Sequence, residues 1–154
     1  MNKTLAIVSG FFNPLHAGHI RYIQSAKFYG DNVWVIVNND EQVKLKGSTP
    51  FLCADERHEI VSAIKDVDLA FISQEQSTTS IYKTLEALIQ FAIGQGYNTI
   101  KFCKGGDRTD ASKMPDQELW VCQRYNVEIV YGVGGSDKIN SSSEILKKVK
   151  ETCQ

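Results

Sequence analysis

The sequence predicts an α/β protein built on a doubly wound, five-stranded parallel sheet, and three observations carry that reading. Apolar strand-like runs and helix-period segments alternate about five times with short connections. The strand-like runs are continuous rather than alternating, as strands covered on both faces are. The chemically unusual residues fall directly after those runs, where such sheets bind ligands.

Taken in order, residues 5–8 form an apolar run that reads as a buried first strand, with a tight exit between Gly10 and Pro14. A helix follows over 17–28. It brings His16 and His19 to the first turn, three residues apart and on one face. Unpaired backbone N–H groups and the positive end of the helix dipole favour an anion there. Residues 33–37 are a second strand, closed by Asn38, Asn39 and Asp40. A polar loop over 41–50 carries Lys44 and Lys46 ahead of Gly47. Asp55 is the expected cap of a helix over 57–65, with Ile60, Val61 and Ile64 on its inner side.

Residues 67–73 form a third strand. The longest helical pattern covers 79–93, with Ile81, Leu85, Leu88, Ile89 and Ala92 spaced for one buried face and Gly94 and Gly96 as stops. A fourth strand over 98–104 runs into Gly105, Gly106, Asp107 and Arg108, a turn that demands flexible backbone. A helix over 116–125 and a fifth strand over 127–131 precede a glycine-rich loop at 132–135. The last helix opens at Ser141, Ser142 and Ser143, and Ser141 with Glu144 has capping-box spacing.

At 154 residues the chain is expected to be one domain with a self-sufficient core. A net charge of −1 argues against a nucleic-acid polymer as partner, although a small anion needs only a local basic pocket. Cys53, Cys103, Cys122 and Cys153 lack metal-ligand spacing and are expected as reduced thiols. No apolar run reaches membrane-spanning length and no leader pattern precedes the first strand, so the expected location is cytoplasmic, away from membranes.

The segment from Gly10 to His19 resembles the HxGH signature of the nucleotidyltransferase superfamily that includes the cytidylyltransferases. Asn38 to Asp40, the loop through Leu45, Lys46 and Gly47 with Glu56 and Arg57 after it, Lys104 to Asp107, and the three serines before Ile145 extend the likeness in the right order across nearly the whole chain. It is nearest to the adenylyltransferase domain that acts on heptose 1-phosphate, then to glycerol-3-phosphate cytidylyltransferase. The resemblance implies a Rossmann-like nucleotidyltransferase fold and transfer of NMP from ATP or CTP to a sugar or polyol phosphate with release of pyrophosphate. Both reactants are anions, so positioning and charge neutralisation carry the catalysis, and no protein nucleophile is needed.

On that resemblance, His16, His19 and Lys46 are the catalytic residues, the histidines donating hydrogen bonds to the triphosphate. Gly10, Phe11, Phe12, Asn13, Gly18, Gly106, Asp107, Ser141, Ser142 and Ser143 are the expected nucleotide site. Lys44, Arg57 and Asp40 are expected at the acceptor, with Arg57 offering a bidentate grip on phosphate. Magnesium is expected on the triphosphate, held by no protein side chain. The expected partners are a nucleoside triphosphate and a phosphorylated small molecule, with a homodimer carried by analogy alone.

Two departures from the pattern stand out. Asn13 occupies a position where many members carry aspartate, which removes a negative charge beside the phosphates and bears on magnesium handling. Lys138 stands near the serine run where the glycerol-phosphate enzymes have an arginine. Together they motivate an alternative: a nucleotide-binding or regulatory protein of the same fold with weak or lost catalysis. Simpler roles compete at single residues. The histidines could open a helix or hold zinc, though zinc lacks a third ligand; Arg57 could form a subunit or intrachain ion pair; the serines could cap a helix and nothing more. The choice between adenine and cytosine stays open at this level, as does the acceptor.

Overall fold

The computed structural model describes residues 2–105 and 114–135. The expected turn at 106–108 and the helix opening at Ser141 lie outside the described residues, as do Gly106, Asp107, Ser142 and Ser143.

β1 (Thr4–Gly10) occupies the middle of a five-stranded sheet whose order is β3-β2-β1-β4-β5, with β2 (Asn32–Val37), β3 (Leu69–Ile72), β4 (Thr99–Gly105) and β5 (Glu128–Val133). Every pairing is parallel. Leu5, Ala6, Ile7 and Val8 are all fully buried, as the continuous run required. Their side chains alternate between two cores. Leu5 and Ile7 join the core shared with α4 (Tyr82–Gly94) and α5 (Asp116–Arg124). Ala6 and Val8 join the core shared with α1 (Ala17–Ala26) and α3 (Ala54–Ser62). The sheet is thus covered on both faces, and the chain winds outward from β1 in one direction to β3 and in the other to β5. The winding reverses between β1 and β4, where Ile7 pairs with Phe102, so the ligand crevice belongs beyond the carboxyl ends of these two strands.

α4 buries the stripe the sequence marks: Leu85, Leu88, Ile89 and Ala92, with Ile81 at its N-cap. Three expectations need correction. The stretch expected as a polar loop after β2 contains a helix, α2 (Asp40–Leu45), capped by the Asn39 side chain accepting from Gln42 N at 2.9 Å. α3 starts at Ala54 with Cys53 at its cap, so Asp55 lies inside the first turn instead of capping it. Its inner face is Arg57 and Val61, while Ile60 is exposed. Arg57 and Val61 are four apart on one face, and the buried arginine sets the helix rotation that turns Ile60 outward. β5 also continues two residues further, to Val133, taking in Gly132.

Candidate active site

His16 is the N-cap of α1, with extended backbone (φ −142°, ψ 176°). Its Nδ1 accepts from Gly18 N at 3.1 Å, and its own backbone N–H donates to His19 Nδ1 at 3.1 Å. This is a capping box in which imidazoles replace the usual serine and glutamate. The reciprocal bonds fix the tautomers: a ring nitrogen that accepts carries no proton, so both neutral rings keep theirs on Nε2. Each histidine therefore has one N–H donor left for a ligand at the helix N-terminus, beside the β1 exit. The rings stack with centroids 3.8 Å apart, and the buried Phe12 ring meets His19 edge-on at 5.1 Å.

Burial lowers the pKa of His16. For His19, burial and then the neighbouring charges of His16 and Lys46 push it down to about 3. A neutral His19 ring is the consequence at any physiological pH, and His16 is shifted in the same direction. The exit that carries them is closely fitted: a Cβ on Gly10 would lie 2.8 Å from the Phe12 ring, and Phe12 itself has φ 50°. Glycine at position 10 is needed for that contact. The Gly18 amide is engaged by His16 Nδ1.

Two residues expected at the ligand make hydrogen bonds within the chain. Asn13 is 3% exposed; its Nδ2 donates to Thr49 O at 2.9 Å and its Oδ1 accepts from Phe51 N at 2.7 Å. Arg57 is 2% exposed. Its guanidinium donates to Phe11 O at 2.6 Å, Asn38 O at 2.7 Å, Leu52 O at 3.0 Å and Asp40 Oδ1 at 2.7 Å. Asp40 is held in turn, its second oxygen accepting from Ala54 N at 3.2 Å. Arg57 thus forms an intrachain junction, the alternative open to it at the sequence level. A buried guanidinium requires a full set of acceptors, and the carbonyls at the ends of β1 and β2 supply them.

The two lysines part company. Lys44 is exposed and paired only loosely with Glu41, 3.4 Å away on the same short helix. Lys46, at the C-cap of α2, places its ammonium 4.3 Å from the centre of the Phe11 ring, and its charge is felt by His19. Lys46 therefore shares the β1 exit with the histidine pair.

A buried polar network runs along the carboxyl edge of the sheet, and the apolar pattern gave no hint of it. Fully buried Gln42 accepts from Asn38 Nδ2 at 2.8 Å and donates to Thr78 O and Ser80 O. Ser80 Oγ donates to Glu118 Oε2 at 2.9 Å, and Glu118 pairs with buried Lys104 at 3.8 Å. The one signal available was Asn39 ahead of Asp40 and Glu41, a cap and acidic first turn that mark a helix start at α2. Among the described residues, no group of three or more His, Cys, Asp or Glu side chains converges as a metal site. No helix among them is long and apolar enough to cross a membrane.

Comparison with known proteins adds to this geometry. The family model described as cytidylyltransferase-like matches residues 7–150. The FAD synthase of Methanosphaerula palustris is 36% identical over 147 residues, covering 95% of this chain and 87% of that protein. The FAD synthase of Thermoplasma acidophilum is 31% identical, covering 94% of this chain and 93% of that protein. The bifunctional protein HldE of Geotalea uraniireducens is 30% identical over 96% of this chain, which spans only 27% of that protein. Among solved structures, the Thermotoga maritima TmcAL bound with alpha-thio ATP superposes with a TM-score of 0.66 at 12% identity, covering 98% of this chain and 51% of that one. At that identity the likeness shows the fold alone.

Proposed function

Because the chain belongs to the cytidylyltransferase-like family, we propose that it is a nucleotidyltransferase that moves AMP from ATP to a phosphate monoester and releases pyrophosphate. The observation that carries this reading is the stacked histidine pair at the N-terminus of α1, with both Nδ1 atoms engaged by backbone and both Nε2–H groups left as donors. An oxygen of the acceptor phosphate attacks the α-phosphorus in line. The new O–P bond forms as the bond to pyrophosphate breaks. The acceptor is already an anion, so no general base is required. His16 and His19 donate to phosphoryl oxygens as charge shifts onto them, and Lys46 adds a point charge at the same exit. Gly106, Asp107 and the serines 141–143 are assigned to the nucleoside and outer phosphates through the resemblance of their motifs. Magnesium would ride on the triphosphate oxygens and largely keep its own waters, neutralising the leaving pyrophosphate. The whole chain would act as one domain.

ATP is preferred over CTP, and flavin mononucleotide is the acceptor to test first, because the two relatives named FAD synthase match nearly end to end. FAD is AMP joined to flavin mononucleotide through a pyrophosphate link, which is the product this reaction would make. A sugar or polyol phosphate is the second candidate acceptor, favoured by the likeness to HldE.

The test is pyrophosphate release with MgATP or MgCTP against a panel of flavin mononucleotide, heptose 1-phosphate and glycerol 3-phosphate. Turnover is expected with MgATP, and His16→Ala or His19→Ala should lower kcat by about a hundredfold or more, the range for losing a preorganised donor. Undiminished turnover in both variants overturns the mechanism. Nucleotide binding without turnover on any acceptor favours the regulatory alternative.

A further inference from the structure

Asn13 and Arg57 come from different elements and converge on one stretch of chain. Asn13 leaves the β1 exit and holds the loop at Thr49 O and Phe51 N. Arg57 reaches from α3 and holds Leu52 O on the loop together with Phe11 O on the exit and Asn38 O at the end of β2. Asp40 closes the arrangement from α2 by accepting from Arg57 and from Ala54 N. Between them the two side chains fix the β1 exit, which carries Phe11, Phe12 and the histidine cap, against the segment that leads out of Lys46.

We propose that Asn13 and Arg57 are positioning residues: a preformed clamp that holds the β1 exit and the loop at 49–52 in fixed relation, so that Lys46 and the histidine pair address one triphosphate. This rests on the nucleotidyl-transfer reading above. It also explains why asparagine occupies position 13. The site presents one carbonyl and one amide, and a carboxamide matches them with one donor and one acceptor. A carboxylate has acceptors only and would set an anionic oxygen against Thr49 O. Asn13 is therefore the residue type the clamp requires, not a weakened magnesium ligand. Arg57 is demanded in the same way: a lysine has a single nitrogen and cannot span carbonyls on three segments as the planar fork does.

The decisive variant is Asn13→Asp, close to isosteric, assayed for pyrophosphate release at varied MgATP, acceptor and magnesium. The clamp predicts that kcat falls roughly tenfold to a hundredfold, as for small misplacements of reacting groups. It also predicts an unchanged magnesium requirement and an ATP dissociation constant that moves far less than kcat. A rise in kcat, or a lowered magnesium requirement, shows that position 13 acts on the metal and overturns the proposal. Arg57→Lys should fail to restore the turnover that Arg57→Met loses, and full rescue by lysine overturns the role given to the fork.

Amide hydrogen exchange on the wild-type protein needs no variant to fold. The Phe51 amide should be protected before ligand is added and stay equally protected with MgATP. Fast exchange that slows only on adding MgATP overturns a preformed clamp. If the wild type turns over no nucleotide with any acceptor, the reaction reading fails, and the exchange measurement alone decides the clamp.

Discussion

His16 and His19 each turn Nδ1 back onto the chain, and that feature fixes their tautomer, while burial keeps His19 neutral. A buried imidazole beside a second imidazole and the Lys46 ammonium resists a proton, so His19 stays neutral, and under the proposed reaction it would donate through Nε2–H. Long-range nitrogen–proton spectra should show the Nε2–H tautomer for His19 and no titration between pH 8 and pH 5. A ring that titrates near 6.5 would refute the neutral donor. The same shift has a consequence for stability. In the unfolded chain a histidine takes up a proton below about pH 6.5, whereas in the folded protein His19 does so only near 3. The unfolded state binds more protons throughout that window. Stability from this group is complete above the unfolded value and falls as pH drops through the window, at up to about 1.4 kcal/mol per pH unit. Urea titrations at pH 7.5, 6 and 5 should show that decline, and His19→Gln should flatten it.

At the scale of elements, α4 and α3 behave in opposite ways. α4 buries Leu85, Leu88, Ile89 and Ala92 at helical spacing against Leu5, Ile7 and Phe102 of the sheet. Leu85→Ala should cost about 2–5 kcal/mol, the usual range for a core cavity. Chemical denaturation should register this as a lower midpoint with an unchanged m-value. A loss under about 1 kcal/mol would mean that the face is not packed as described. The stripe on α4 was legible because apolar periodicity alone defines it. On α3 the inner face holds Arg57, a residue type almost never buried unless it is paired. Counting apolar positions therefore put Ile60 inside. What buries Arg57 is a set of carbonyls on three other segments, and nothing local to 54–62 announces them. α2 was missed for a milder reason: it is six residues long, too short for periodicity to show.

At the scale of the whole molecule, the reversal of winding between β1 and β4 gathers the histidine cap, Lys46 and the clamp at one end of the sheet. Buried Lys104 and Glu118 link the end of β4 to the first turn of α5 at the same edge. A ligand confined to that edge stabilises the folded chain as a unit. MgATP at a hundred times its dissociation constant should add roughly 2.7 kcal/mol, read as a rise in Tm. MgCTP at equal concentration should give a clearly smaller shift. The reverse order would reassign the base.

The amino-acid sequence by itself determined the doubly wound parallel sheet, because continuous apolar runs alternating with amphipathic helices bury their surface in few other ways. It also determined that His16, His19 and Lys46 follow strands at one edge, since the carboxyl ends of parallel strands all point the same way. Only the tertiary structure decided which groups of the chain Asn13, Asp40 and Arg57 bond to. Their side chains carry hydrogen-bonding capacity that a ligand or the chain can satisfy equally well. Which of the two does so depends on carbonyls and amides 36 to 46 residues away in sequence for the contacts with Thr49, Phe51 and Phe11, and on their meeting in space.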